Sequence, residues 1–223
     1  MLLGMDQVLA QLIPVAAAAA LSTVPITATI FILLSERRGA AALPFLSGCV
    51  LGTAAGVTLA TLATQALPGR PRRLDSLIGS LEILVGSALV AMGLFTLVRH
   101  ARTSPIQRPG WIESIGSFGP LPAFGIGLAL NVRPKALLLF AAASLAISSA
   151  RLSVDDSLIM IAVYTAIATS TVVVPTLATV LFPTRMEPRL VVARDWVSAH
   201  GPAVTGVAMI LIGVVVTGAG IRG

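Results

Sequence analysis

Apolar residues come along this chain in long runs, separated by short charged or Pro/Gly-rich breaks. Reading the runs between the breaks gives six segments, at residues 8–35, 40–67, 76–98, 121–149, 154–182 and 201–221. A hydrocarbon core about 30 Å thick takes about 20 helical residues, so each segment reads as a membrane-crossing helix, several long enough to cross at a tilt. The intervening pieces are the turn at Glu36-Arg37-Arg38, the PGRPRR stretch ending at Asp75, the segment from Arg99 to Pro120, the Arg151–Asp156 turn and Pro183–His200. None is long enough for a second domain.

The two halves of the pattern resemble each other. Thr61-Leu62-Ala63-Thr64, followed by Pro68 and Arg70, recurs as Thr176-Leu177-Ala178-Thr179, followed by Pro183 and Arg185. Asp75, Gly86 and Gly93 similarly map onto Asp195, Gly206 and Gly213, and Pro25 onto Pro134. Three spans per half is an odd number, so the second half enters the membrane from the opposite side. The expected fold is therefore an all-α integral membrane protein of six transmembrane helices arranged as two inverted three-helix repeats. Residues 1–99 form the first repeat, 100–120 a loop with an interfacial helix, and 121–223 the second repeat. Apolar faces at Trp111, Ile112, Ile115 and Phe118, and at Met186, Leu190, Val191 and Trp196, mark two candidate interfacial helices.

Composition agrees with a lipid environment, since 56% of residues are hydrophobic and 11% charged, where soluble domains carry roughly a quarter of their residues as charges. The net charge of +6 lies mostly in the loops, where the positive-inside rule and anionic lipid account for it, so nucleic acid is not an expected partner. Arg37, Arg38, Arg99, Arg102, Arg108, Arg185, Arg189 and Arg194 lie on one side, against Arg70, Arg72, Arg73, Arg151 and Arg222 on the other, which favours both termini outside. No basic residue precedes the first apolar run, so that span is expected to be retained rather than cleaved as a signal peptide.

Candidate chemistry concentrates around two prolines inside spans. Pro25 stands among Ser22, Thr23, Thr27 and Thr29, and Pro134 among Asn131, Arg133 and Lys135. Proline withholds an amide donor and disturbs the carbonyl four residues earlier, and interrupted helices with free backbone groups form midplane sites in transporters. Arg133 and Lys135 lie roughly 20 Å along the helix from either surface. A cation at that depth costs about 2.5 to 3.5 kcal/mol on insertion scales, so the pair calls for an acid, water or a bound anionic group. Glu82, the acid inside a span, is the expected internal partner, although the neighbouring Asp75 also allows it an interfacial place. Tyr164, Thr165, Thr169, Ser170, Thr171, Pro175 and Thr176 in the fifth span add hydroxyls and another proline, to line a cavity or to satisfy helix neighbours.

Gly48, Gly52 and Gly56, then Gly79, Gly86 and Gly93, then Gly206, Gly213 and Gly220 recur at helical spacing and predict close helix packing. A single cysteine, Cys49, leaves no Cys pair for a disulfide, metal or redox relay. The sequence has no Walker loop, metal-ligand spacing or nucleophile elbow, so no enzyme activity, metal or cofactor is expected.

Four stretches, LSTVPITATIFIL, NVRPKALLLFAAASLAIS, YTAIATSTVVVPTLATVLFP and ARDWVSAHGPAVTGVAMILIGVVVTGAGI, resemble the LysE transporter superfamily. The likeness is nearer to its mycobacterial GAP or Sap branch, the sulfolipid- and glycopeptidolipid-addressing proteins, and covers nearly the whole chain. The wider superfamily resembles an Asn-Pro-Lys signature at its centre; here Arg133 directly precedes Pro134 and Asn131 stands two residues before Arg133, a departure that weakens the carry-over of amino-acid or cation export. The resemblance implies a multi-pass protein of the plasma (inner) membrane that serves export of a cell-envelope glycolipid. Membrane lipid, a larger lipid exporter and a second copy of the chain are the implied partners, with Arg133 and Lys135 facing the anionic part of the lipid. A LysE-type exporter of a small solute, and a non-transporting scaffold of a larger exporter, stand as alternatives.

Overall fold

The computed structural model describes residues 2–66, 71–102, 119–150 and 152–222, and throughout them the regular structure is helical. The helices are α1 (Leu2–Ala20), α2 (Thr23–Leu33), α3 (Arg38–Gln65), α4 (Pro71–Arg102), α5 (Pro120–Ala129), α6 (Pro134–Ser149), α7 (Val154–Leu181) and α8 (Pro183–Arg222). A 3-10 turn, Leu130–Val132, follows α5. Arg38–Gln65, Gly79–Arg99, Val154–Leu181 and Pro183–Gly218 are each long and apolar enough to cross a membrane, and the count reaches six if each of two bent pairs is one span. The bent pairs are α1 with α2, at 48°, and α5 with α6, at 64°. The protein is thus a helical membrane protein.

Local chemistry explains where these helices begin. Ser153 caps α7, its hydroxyl accepting from the Asp156 amide at 3.1 Å, and Asp155 and Asp156 place negative charge in the first turn, where the helix dipole favours it. Arg133 precedes a proline and is therefore driven to extended backbone, at φ −72° and ψ 147°, while Pro134 opens α6 at a position where its missing amide costs nothing. The first break falls slightly ahead of its proline. Ser22 is extended and α2 starts at Thr23, so Pro25 sits within the first turn of the new helix, where no intrahelical donor is lost.

The glycine series are where backbones meet. Gly86 and Gly213 face each other across α4 and α8 so closely that a Cβ on Gly213 would lie 2.6 Å from Gly86 O, and one on Gly86 2.7 Å from Gly213 O. Gly93 meets Gly206, and Gly79 meets Gly220, in the same way, so the two helices run antiparallel with glycine against glycine at three levels. On α3, Gly48 faces the Phe124 backbone, Gly52 the Asn131 side chain and Gly56 the Phe140 ring. The second series thus seats the α5–α6 break on α3.

The apolar interior divides into two clusters. One joins α1, α4, α6, α7 and α8 through Leu12, Val15, Leu89, Leu139, Tyr164 and Met209; the other joins α2 and α3 to α5 and the first half of α8 through Ile32, Phe45, Ala123, Leu190 and Val197. Residues 183–200 correct the expectation of a separate interfacial helix, because they continue directly into the last span as one helix despite Pro188 and Pro202. Leu190 and Val197, seven residues apart, are buried on the α2 side, and Gly201 next along that face lies against Thr23, which fixes the segment to the bundle. Of the expected apolar face only Leu190 is fully buried, while Trp196 stays 54% exposed and stacks on His200. The other expected interfacial helix, with Trp111, Ile112, Ile115 and Phe118, lies outside the described residues.

Candidate functional site

The two helix breaks border one cavity of about 60 Å³, at the seam between the two apolar clusters. Ala19, Ser22 and Pro25 line it from the first break; Leu130, Asn131, Arg133 and Lys135 line it from the second. α3 adds Cys49 and Thr53, and α7 adds Tyr164, Thr169 and Val172. Prolines more than one hundred residues apart in the chain therefore serve one site.

At the second break, polar side chains satisfy the opened backbone locally. Asn131 Nδ2 donates to Gly127 O at 3.0 Å, and Arg133 Nε donates to Leu130 O at 3.0 Å. Thr53 Oγ1 donates to Asn131 Oδ1 at 2.9 Å, tying the break to α3. At the first break the partners come from other helices: Thr171 Oγ1 donates to Ala20 O and Thr205 Oγ1 to Leu21 O, both at 2.8 Å. Thr205 also shares a 2.8 Å hydrogen bond with Thr23.

Among the described residues, the cavity is lined by two cationic side chains and no carboxylate. Among the described residues no ion pair joins Arg133 or Lys135 to an acid, and Lys135 Nζ is buried without a hydrogen-bond partner. The expected pairing with Glu82 is not formed. Glu82 is buried, 7% exposed, but one helical face carries residues 79, 82 and 86, and that face is turned to α8, where a Cβ on Gly220 would come 2.9 Å from Glu82 Cβ. The glycine packing that holds α4 to α8 thereby keeps Glu82 out of the cavity lining.

Of the residues singled out from the sequence, Ser22, Pro25, Asn131, Arg133, Lys135 and Thr169 line the cavity. Thr23, Thr27, Glu82, Pro134, Ser170 and Pro175 do not. Thr23 serves the α8 contact, Pro134 sets the backbone turn, and Ser170 bonds back to Ile167 O of its own helix. Thr169, although at the cavity, likewise donates to Thr165 O.

Thr53, Cys49 and Phe140 also line the cavity without having been candidates from the sequence, whereas Tyr164 was one of the fifth-span hydroxyls expected either to line a cavity or to satisfy neighbouring helices. Tyr164 is fully buried, its ring meets Phe140 edge-on at 6.4 Å, and its hydroxyl has no hydrogen-bond partner. Its signal in the sequence is a hydroxyl inside an apolar span, on the one tyrosine of the chain; such a phenol carries a polar end that needs a partner.

Comparison with known proteins gives one match. No curated protein and no solved structure is matched by the chain. The model of one family, Sap, sulfolipid-1-addressing protein, matches residues 12–222, a stretch that contains both helix breaks and every residue lining the cavity. The chain belongs to the sulfolipid-1-addressing protein family.

Proposed function

We propose that this protein carries or helps carry an anionic cell-envelope glycolipid, of sulfolipid or glycopeptidolipid type, across the inner membrane, with the cavity between the two helix breaks as the site where the lipid's charged part is handled. The observation that carries this reading is the pair of cations, Arg133 and Lys135, in a cavity that no acid among the described residues lines. Intramembrane charges are costly and mark substrate or ion pathways, and broken helices meeting at a site are the build of secondary transporters. Family membership supplies the lipid class.

An inverted repeat of two three-span halves fits the same reading. It is supported by a broken helix opening each half and by the antiparallel crossing of the helices that close the halves, α4 and α8, glycine to glycine. In such a frame, rocking of one half against the other exposes the cavity to alternate sides.

The test uses a strain lacking the gene, complemented with wild-type protein or with Arg133→Ala/Lys135→Ala at equal membrane abundance. Wild type restores the glycolipid at the cell surface, and the double variant leaves it inside. Full restoration by the double variant would remove the cavity from the mechanism.

A further inference from the structure

Lys135 and Tyr164 line the same cavity from different helices, and in both the polar end is buried without a hydrogen-bond partner. Tyr164 is 0% exposed, and its ring is fixed by Phe140, whose own ring fills the space left by Gly56. A buried ammonium and a buried phenol left unpaired in one place are each costly, and a ligand that accepts from both relieves both costs.

The hydrogen-bonding capacity left over in the cavity is dominated by donors. Asn131 has its carbonyl oxygen and its amide engaged by Thr53 and Gly127, and Thr169 donates to its own helix. Arg133 uses Nε on Leu130 O, which leaves the two terminal amino groups of the guanidinium. The free groups are therefore an ammonium, guanidinium donors, a phenol hydroxyl and the Ser22 hydroxyl, the first two of them cationic. Their complement is an acceptor-only group of negative charge. Size narrows it further: at about 10–15 Å³ for one water-sized probe, the cavity of about 60 Å³ matches a tetrahedral oxyanion better than a sugar ring or an acyl chain.

We infer that the cavity is a binding site for a single oxyanion group, a sulfate or phosphate monoester or the free ion, held by Lys135 Nζ and Tyr164 OH beside Arg133, with everything attached to that group remaining outside. The inference rests on the proposed reading of this cavity as the substrate site, and assigns the binding roles within it. Tyr164 acts as a neutral donor to the bound anion, and Lys135 supplies the charge.

Equilibrium binding of radiolabelled inorganic sulfate to the purified full chain in detergent tests this, with butyl sulfate, butyl phosphate and butyltrimethylammonium as competitors. Saturable binding is expected, displaced by the two anions and unaffected by the cation. Tyr164→Phe, which keeps the ring and its packing, should weaken binding about tenfold, and Lys135→Met about a hundredfold. Lys135→Met should also raise the melting temperature of the ligand-free protein, because it removes an unpaired buried charge; a variant that merely failed to fold would lower it. Absence of saturable sulfate binding, displacement by the cation, or unchanged affinity in both variants would overturn the inference. Binding of sulfate without competition by butyl sulfate or butyl phosphate assigns the site to the free ion and sustains the inference while defeating the lipid reading. Intact anion binding in a protein that restores no surface lipid does the same.

Discussion

At the first helix break the carbonyls of Ala20 and Leu21 are taken by Thr171 and Thr205, hydroxyls brought in from α7 and α8, and Thr23 is joined to Thr205. At the second, Asn131 and Arg133 serve carbonyls of their own segment, and Thr53 is the one neighbour that bonds across. Moving the first break as a whole, Ala20 to Thr23, away from its surroundings thus ruptures three side-chain hydrogen bonds, and moving the second away from α3 ruptures one. The first break is stapled to the bundle and carries no charge; the second supports itself and carries both cations. Strength of attachment and chemical function have been placed at opposite breaks, which leaves the charged one freer to shift with a ligand.

The largest expected effect on this contrast comes from Gly52→Val. The added side chain would collide with Asn131, whose Nδ2 already lies 2.5 Å from a Cβ built at Gly52, and would disrupt both Asn131 hydrogen bonds at once. Overpacking of this kind costs about 1–3 kcal/mol, read as a lower melting temperature in detergent together with loss of surface lipid. Retained stability and export would show that the second break does not depend on its seat on α3.

Charge can be compared next, using Cys49, the one cysteine of the chain and a cavity-lining residue. A negatively charged methanethiosulfonate should modify Cys49 about tenfold faster than a positively charged one, a ratio equal to about 1.4 kcal/mol, and Lys135→Met should reduce the ratio. In a Cys49→Ala background, Ser22→Cys at the first break should show a smaller preference, since Ser22 lies at the uncharged break. Equal rates for the two reagents at Cys49 would mean that the cations do not set the field in the cavity.

The smallest effects belong to the staples. Thr205→Val removes the bonds to Leu21 O and Thr23, and interhelical hydrogen bonds in membrane proteins average about 0.6 kcal/mol. A modest loss of stability with anion binding unchanged is expected from thermal unfolding and sulfate binding on the same sample. A fall in sulfate affinity as large as that of Tyr164→Phe would show the first break to be part of the binding machinery.

The sequence by itself determined the helical spans, the two interruptions and the cations, because apolar run length, proline and intramembrane charge act through local backbone and solvation chemistry. Arg133 and Lys135 were legible for that reason, as were the glycine series, since only close backbone approach rewards glycine at helical spacing. The fate of Glu82 was decided by the tertiary structure: which face of α4 meets α8 is set by glycine pairing across a distance the sequence does not encode, and that pairing buries the acid away from the cations. The course of residues 183–200 was decided in the same way, by packing of Leu190 and Val197 on the α2 side. Among the fifth-span hydroxyls, Tyr164 was singled out by folding, which places it in the lining of the same cavity as Lys135 with its hydroxyl unpaired, a coincidence of two helices that no spacing along the chain expresses.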